Sequence, residues 1–448
     1  MLPRRFGTMA VGHAPAPDAE SSDQAPRNST RQVVVASLAG TSIEFYDFYV
    51  YATAAVLVFP HMFFPAGDAT AATLQSLATF AIAFVARPLG SALFGHFGDR
   101  IGRKSTLVAS LLTMGISTVV IGVLPGYEQI GIVAPLLLAL CRFGQGLGLG
   151  GEWGGAALLA TENAPPNRRA FFGTFPQLGA PIGFFFANGL FLLLSEVMDD
   201  QTFLAWGWRV PFLVSAALVA VGLWVRLTLH ETPAFAKVVE RDERAKVPLA
   251  QVFRTDFKAL VLGTFIMLAT YVLFYLMTVF SLSYGTAKTG LGYDRSAFLV
   301  MLLIGVVFFA LATPVAGVLA DRYGRRSTLL VTTAAIIVFG LLLGPWFGAN
   351  STVATVSFLV VGLGLMGMTF GPMGAVLPEL FPTAVRYTGA SVAYNVAGLL
   401  GASVAPYIAT WLASSYGLGW VGVYLAAMAS ITLLALLLSK ETKQSSLD

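Results

Sequence analysis

A chain of 448 residues that is 56% hydrophobic and only 11% charged, with a mean hydropathy of +0.75, cannot be solvated as a soluble globule, so lipid is its expected solvent. The single cysteine, Cys141, excludes an internal disulfide and a cysteine metal cluster, and the four scattered histidines argue against any other metal site. A net charge of +4 calls for no nucleic acid.

Residues 1–31 are rich in Pro, Ala, Ser, Asp and Arg and hold no apolar stretch long enough for a signal-peptide core, so a disordered cytosolic tail is expected. From Arg31 onward follow about twelve mainly apolar segments of roughly 20 residues or more, each able to cross about 30 Å of hydrocarbon as a helix. They are read at 33–59, 70–94, 105–124, 131–157, 170–194, 207–229, 258–283, 294–317, 327–346, 353–377, 388–412 and 418–439. The expected architecture is an all-α membrane protein of two six-helix bundles, 32–229 and 258–439. A cytoplasmic loop at 230–257 joins them, and a cytosolic tail at 440–448 ends the chain.

The chain is internally duplicated. The decapeptide GHFGDRIGRK, from Gly95 to Lys104, returns as GVLADRYGRR from Gly317 to Arg326, a shift of 222 positions. Glu162, Pro165 and Arg169 form E-x-x-P-x-x-x-R, and Glu379, Pro382 and Arg386 repeat that spacing after a shift of 217. Two related halves that carry the same charged hairpins between long apolar segments make a transporter architecture. Of the 27 Lys and Arg, only Lys288, Arg295 and the boundary residue Arg209 fall in outer loops, while Arg87 and Arg142 lie within spans. The positive-inside rule then puts both termini and the 230–257 loop in the cytoplasm. Attraction of those basic residues to anionic lipid is reason enough for the net charge.

The twelve spans, the two D-R-x-G-R hairpins and the two E-x-x-P-x-x-x-R loops resemble the major facilitator superfamily over nearly the whole chain. More narrowly, EFYDFYVY at 44–51, ARPLGSALFGHFGDRIGRK at 86–104, RFGQGLGLGGEWGGA at 142–156 and WGWRVPF at 206–212 resemble its metabolite:proton symporters. The resemblance implies an inner-membrane protein, acting as a monomer without a cofactor, that imports a small polar metabolite with protons by alternating access. An organic carboxylate such as shikimate is the expected cargo. It also implies that Asp99, Arg100, Arg103, Asp321, Arg322 and Arg325 latch neighbouring helix ends, with Glu152, Glu162, Arg169, Glu379 and Arg386 as a second latch group. A loop arginine also serves topology alone, whereas acids such as Asp99 and Asp321 do little for orientation. Ala320 stands where the first hairpin has Gly98, which predicts looser backbone approach at the second.

Ionisable residues inside apolar helices carry the case for proton coupling, since each costs at least about 2.5 to 3.5 kcal/mol unless paired or hydrated. Glu44 and Asp47 lie three apart on one face of the first span, Arg87 is in the second, and Arg142 is in the fourth. Asp47 precedes Phe59 by twelve residues and Arg142 follows Gly131 by eleven, which puts both about 17 Å below the outer boundary. They are expected to pair, with Asp47 as proton acceptor and Arg142 as its modulator, because an Arg that approaches or leaves an Asp switches its proton affinity. A static salt bridge is the plainer alternative. Glu44 and Arg87 form a second pair or belong to the cargo site.

Gly146, Gly148 and Gly151 satisfy G-x-G-x-x-G, but inside an apolar helix they suit close helix contact or bending rather than a nucleotide. Expected cargo contacts are Tyr46, Gln145 and Gln177 from the first half and Tyr271, Tyr275, Tyr394 and Asn395 from the second. By resemblance, Gln177 in FPQLGAPIG is the foremost of these. Aromatic residues in membrane helices also serve packing and interfaces. A drug:proton antiporter, a symporter of a zwitterion such as proline or betaine, and a non-transporting receptor are the competing readings. No nucleophile paired with a base and no soluble domain favours an enzyme.

Overall fold

In the computed structural model the described residues are 30–64, 68–101, 103–150, 152–162, 164–228, 248–382 and 385–443. Twelve long helical units follow in chain order: α1 Thr30–Leu57, α2 Ala69–Ile101, α3 Arg103–Val123, α4 Val133–Glu162, α5 Arg169–Val197, α6 Val210–Thr228, α7 Phe257–Thr286, α8 Arg295–Tyr323, α9 Arg325–Phe347, α10 Thr352–Glu379, α11 Arg386–Tyr416 and α12 Leu418–Leu438. Among the described residues ten helices are long and apolar enough to cross a membrane, and Val108–Val123 in α3 is a shorter apolar one. The expected tail at 1–31 and the segment 444–448 lie outside the described residues except for the first turn of α1. Most of the 230–257 loop lies outside them too, but its last part forms a helix, Pro248–Thr255, whose Val252 is buried against Leu260, Phe381 and Val385.

The duplication read in the sequence reappears as duplicated packing. In the first half α1 packs on α5, α2 on α4, and α3 on α6; in the second α7 packs on α11, α8 on α10, and α9 on α12. The halves meet along two seams, α5 against α8 and α2 against α11. At the hairpins the helices run on further than the apolar spans alone suggest, because charged side chains tolerate a helix at the water interface. Thus α2 continues to Ile101 and α8 to Tyr323. One residue, Gly324, separates α8 from α9 at φ 105, a backbone conformation that only glycine adopts without strain. The looser approach expected from Ala320 is not found. Ala320 is fully buried in a trio with Ala170 and Ala375, and one turn earlier a Cβ on Gly317 would lie 2.9 Å from the Phe171 Cα.

The glycines of α4 serve contact and bending. A Cβ on Gly146 would meet the Ala83 carbonyl oxygen of α2 at 2.3 Å, and one on Gly148 would meet the Ser110 carbonyl oxygen of α3 at 2.8 Å. The first part of α4 ends at Leu149 and the second starts at Glu152. Gly146→Ala is expected to destabilise the detergent-solubilised protein by about 1 to 3 kcal/mol, the usual cost of overpacking a tight contact. Gly189→Ala, where a Cβ meets nothing within 4 Å, is expected to leave the melting temperature unchanged or slightly raised, since alanine favours the helix. Equal melting temperatures for the two variants would refute the close-contact role.

Candidate translocation site

Asp47 is fully buried in α1. Its Oδ1 accepts a hydrogen bond from Ser215 of α6, and its Oδ2 lies 3.3 Å from the Thr118 hydroxyl of α3, which also has the Met114 carbonyl in reach. Gln145 of α4 donates to Thr118 at 2.8 Å and accepts from Arg142 Nη1 at 2.9 Å. The direct Asp47–Arg142 pair expected from their common depth is therefore absent. Depth fixes height along a helix but not azimuth, and Gln145, one turn beyond Arg142, stands between the two. The Arg142 guanidinium lies instead over three rings, at 4.0 Å from the centroid of Tyr51, 4.3 Å from Phe48 and 4.7 Å from Phe80. Its Nε and Nη2 have no hydrogen-bond partner. Acid and base are joined through Gln145 and Thr118 rather than by contact.

Arg87 in α2 is 6% exposed. Its guanidinium lies over Phe84 at 4.4 Å and Phe48 at 4.7 Å, its Nε has no hydrogen-bond partner, and among the described residues no ion pair reaches it. Its charge is close enough to act on the hydroxyls of Tyr49, Tyr271, Tyr275 and Tyr394. Those rings continue the cluster across the seam, with Phe84 at 5.8 Å from Tyr275 and Tyr271 at 5.2 Å from Tyr394. The buried Tyr271 hydroxyl makes no hydrogen bond of normal geometry. Glu44, also buried, lies one turn before Asp47. Two second-half helices that face this cluster carry a π turn within a turn of a cluster tyrosine, Leu276–Phe280 after Tyr275 and Gly398–Ala402 after Tyr394, a local widening common at functional sites.

The remaining expected contacts are occupied by the protein itself. Tyr46 donates to the Pro211 carbonyl at 3.0 Å and so ties α1 to α6. Gln177 donates to the Phe370 carbonyl of α10 at 3.0 Å and accepts from the Trp153 indole at 2.9 Å. Asn395 donates to the Gly150 carbonyl at 3.1 Å and has the Ser91 hydroxyl at 3.3 Å. Trp153, Ser215 and Thr118 are the residues that sequence reasoning missed. Trp153 had a visible signal, an indole flanked by glycines in GEWGG, whereas a single Ser or Thr in an apolar helix has none.

Both ends of the seam are closed. At the basic end, Asp321 accepts from the backbone N–H groups of Ala170 and Phe171 at 3.0 and 2.9 Å, in the first turn of α5, where unpaired donors and the helix dipole favour an anion. Arg325 holds Asp321 at 3.2 Å and Glu379 at 3.1 Å. Thr442 donates to Glu379 at 2.7 Å, and Glu441 accepts from the backbone of Arg325 and Arg326, so the start of the expected tail belongs to this cluster. Arg386 lies within electrostatic reach of Glu162, Arg169 and Glu379, which brings both E-x-x-P-x-x-x-R loops together. Arg322 lies beside the ring of Tyr323. The side chains of Asp99, Arg100, Arg103 and Glu152 lie outside the described set. At the opposite end Arg295 of α8 pairs with Asp200 of the first half.

Comparisons with known proteins agree with this arrangement. A family described as "Sugar (and other) transporter" matches residues 32–260, and "Major Facilitator Superfamily" matches residues 286–448. The chain is 66% identical to an inner membrane metabolite transport protein of Escherichia coli strain K12, over 94% of this chain and 97% of the relative. It is 37% identical to the shikimate transporter of the same organism, over 93% and 95%. The fold of a proton:xylose symporter superposes with a TM-score of 0.73 at 18% identity, covering 92% of this chain and 96% of that one. With the duplicated helical packing, these matches show that the chain belongs to the major facilitator superfamily, as a multi-pass membrane transporter of metabolites and not an enzyme.

Proposed function

We propose that the protein is a proton-coupled symporter that imports a small organic carboxylate by alternating access, with Asp47 as the proton acceptor and Arg87 as the anchor for the cargo. The observation that carries this reading is Arg87, a buried cation at the seam that has no acid partner among the described residues and an Nε–H without an acceptor. A buried charge without a counter-ion costs several kcal/mol, so an anionic cargo gains from Arg87 what the folded protein does not supply. The Tyr271 hydroxyl is the second donor of the anchor. Relatives support a carboxylate in general more than any one molecule. The 37% relative is named for shikimate, and one of Escherichia coli that is 33% identical is named for proline and betaine; all three solutes carry a single carboxylate. The basic end, with Asp321, Arg325 and Glu379, faces the cytoplasm and latches that side, and the protein works as a monomer without a bound cofactor.

Asp47 suits the proton because its bonds come from hydroxyls, which can donate to a carboxylate or accept from a carboxylic acid after a simple rotation. Arg142 reaches it only through Gln145 and Thr118, so the protonated acid need not drag a cation with it. The buried Glu44, which acts on the Tyr394 hydroxyl together with Arg87, supports a second reading in which the cargo also carries an ammonium. Voltage separates the two. A monocarboxylate moving with one proton carries no net charge, whereas a zwitterion with one proton responds at about 2.3 kcal/mol per 100 mV.

Asp47→Asn in proteoliposomes is expected to abolish uphill accumulation of shikimate or proline driven by a pH gradient, while equilibrium exchange of the same solute survives. Retained uphill transport from pH 5 to 8 would remove Asp47 from the coupling role, and loss of exchange together with loss of folded protein would point to a static structural group. Arg87→Ala is expected to raise the KM for a carboxylate cargo by about tenfold or more, the scale of one charged hydrogen bond of roughly 1.5 to 3 kcal/mol. Binding of the matching carboxamide, weak in the native protein, should be nearly unaffected. Accumulation of a cationic dye in everted vesicles on acidification would favour the antiporter reading instead.

A further inference from the structure

The shift of 217 positions that carries Glu162 onto Glu379 also carries Trp153 onto Phe370 and Gln177 onto Tyr394. These four residues meet across the seam. Gln177 of α5 donates to the Phe370 carbonyl of α10 at 3.0 Å. Its counterpart Tyr394 of α11 lies flat on Trp153 of α4, with ring centroids 4.0 Å apart and planes 5° apart. One contact is a hydrogen bond and the other a stack, but they join equivalent positions of opposite halves. A third interaction ties them together, since the Trp153 indole donates to Gln177 at 2.9 Å.

The layer formed by these residues lies under the Arg87 cluster. Tyr394 is in ring contact with Trp153 on one side and Tyr271 on the other, so it is the boundary between the cluster and the basic end. Gln177 is eight residues into α5 and Tyr394 eight into α11, which sets both about 12 Å from the helix starts at the basic end. Backbones close around them. A Cβ on Gly374 would fall 2.3 Å from the Gly173 carbonyl oxygen, and one on Gly154 would fall 2.1 Å from the Ser391 hydroxyl. A solute held at Arg87 cannot leave toward the basic end while these contacts stand.

We propose that Trp153 and Tyr394, with Gln177 and Phe370, form a two-part floor beneath the Arg87 cluster, and that Trp153 is the positioning residue that couples its parts. The stack and the hydrogen bond close separate exits on either side of the pseudo-two-fold axis. Trp153 belongs to both, through its face to Tyr394 and through its N–H to Gln177, so they part together. The Asp321, Arg325 and Glu379 latch is a second barrier nearer the surface.

Ala397, one turn from Tyr394 on the side of the Arg87 cluster and fully buried, is the reporter position. Ala397→Cys, in a background with Cys141→Ala, is labelled with a membrane-impermeant maleimide in right-side-out and everted vesicles. Adding Trp153→Ala is expected to raise the labelling rate at least fivefold from the basic-end side only. Tyr394→Ala should do the same, the two effects should not multiply, and Trp153→Phe, which keeps the stack but loses the indole donor, should fall between. An unchanged rate, or one that rises equally from both faces as general loosening would produce, would overturn the proposal. Labelling needs neither cargo nor a proton gradient, so its outcome is independent of the carboxylate and proton assignments. Melting temperatures of the variants, measured alongside, identify any loss of fold.

Discussion

Two arginines, buried in the first half with no contacting carboxylate among the described residues, set the terms for the rest of this structure. Removing such a charge from water costs several kcal/mol, and here aromatic faces meet most of that cost. A desolvated cation over a ring gains about 2 kcal/mol or more. Arg142 has three rings and one amide oxygen. Arg87 has two rings and no hydrogen bond through its Nε. The difference is one of degree: Arg142 has one acceptor in Gln145 and leaves its Nε and Nη2 unpartnered, whereas no acceptor meets the Arg87 Nε. Arg142 is thereby tied to the hydrogen-bonded network that reaches Asp47, and Arg87 is not.

The seam follows from the same constraint. Rings that shelter the guanidiniums, Phe48, Phe80 and Phe84, also contact Tyr275 of the second half, so the charged site and the interface between halves share one aromatic cluster. Polar side chains that would face a solute are turned onto the opposite half, as with Gln177 on Phe370 and Asn395 on Gly150. The halves are also tied at both ends, by the Arg295–Asp200 ion pair at one and by Asp321 accepting from the backbone of Ala170 and Phe171 at the other. Every cross-seam contact is individually modest, which lets a transporter exchange one closed set for another without a large barrier in either direction.

The sequence disclosed most of the architecture, because lipid forces long apolar helices and the duplication fixes where they correspond. The hairpin charges and the twelve segments could be read from spacing and composition, and the family from the resemblance of its motifs. The Asp47 environment could not. Its partners Ser215 and Thr118 are single hydroxyls on other helices, with no periodic signature, and the azimuth of Arg142 depends on how α4 packs rather than on its depth. Glu441 and Thr442 were hidden for a different reason: a short polar segment after the last apolar span reads as a tail until it is seen folded back on α9 and Glu379. Trp153 was legible in part. Its glycine-flanked position marks a close approach, but only the geometry identifies Tyr394 as what approaches.

Phe48 links the two sites more firmly than any hydrogen bond. Its ring lies 4.7 Å from the Arg87 guanidinium and 4.3 Å from that of Arg142, and its backbone is bonded to that of Asp47. Adjacent residues in a helix cannot move independently by more than rotamer changes, and this ring is 2% exposed and packed against Phe80 and Phe84. A solute that draws Arg87 away from Phe48 therefore disturbs the ring that also holds Arg142, and any tilt of α1 that accommodates it carries Asp47 relative to Ser215 and Thr118. On the roles proposed for Arg87 and Asp47, coupling requires no direct contact between them, only a stiff helix that carries Asp47 and Phe48 on one turn.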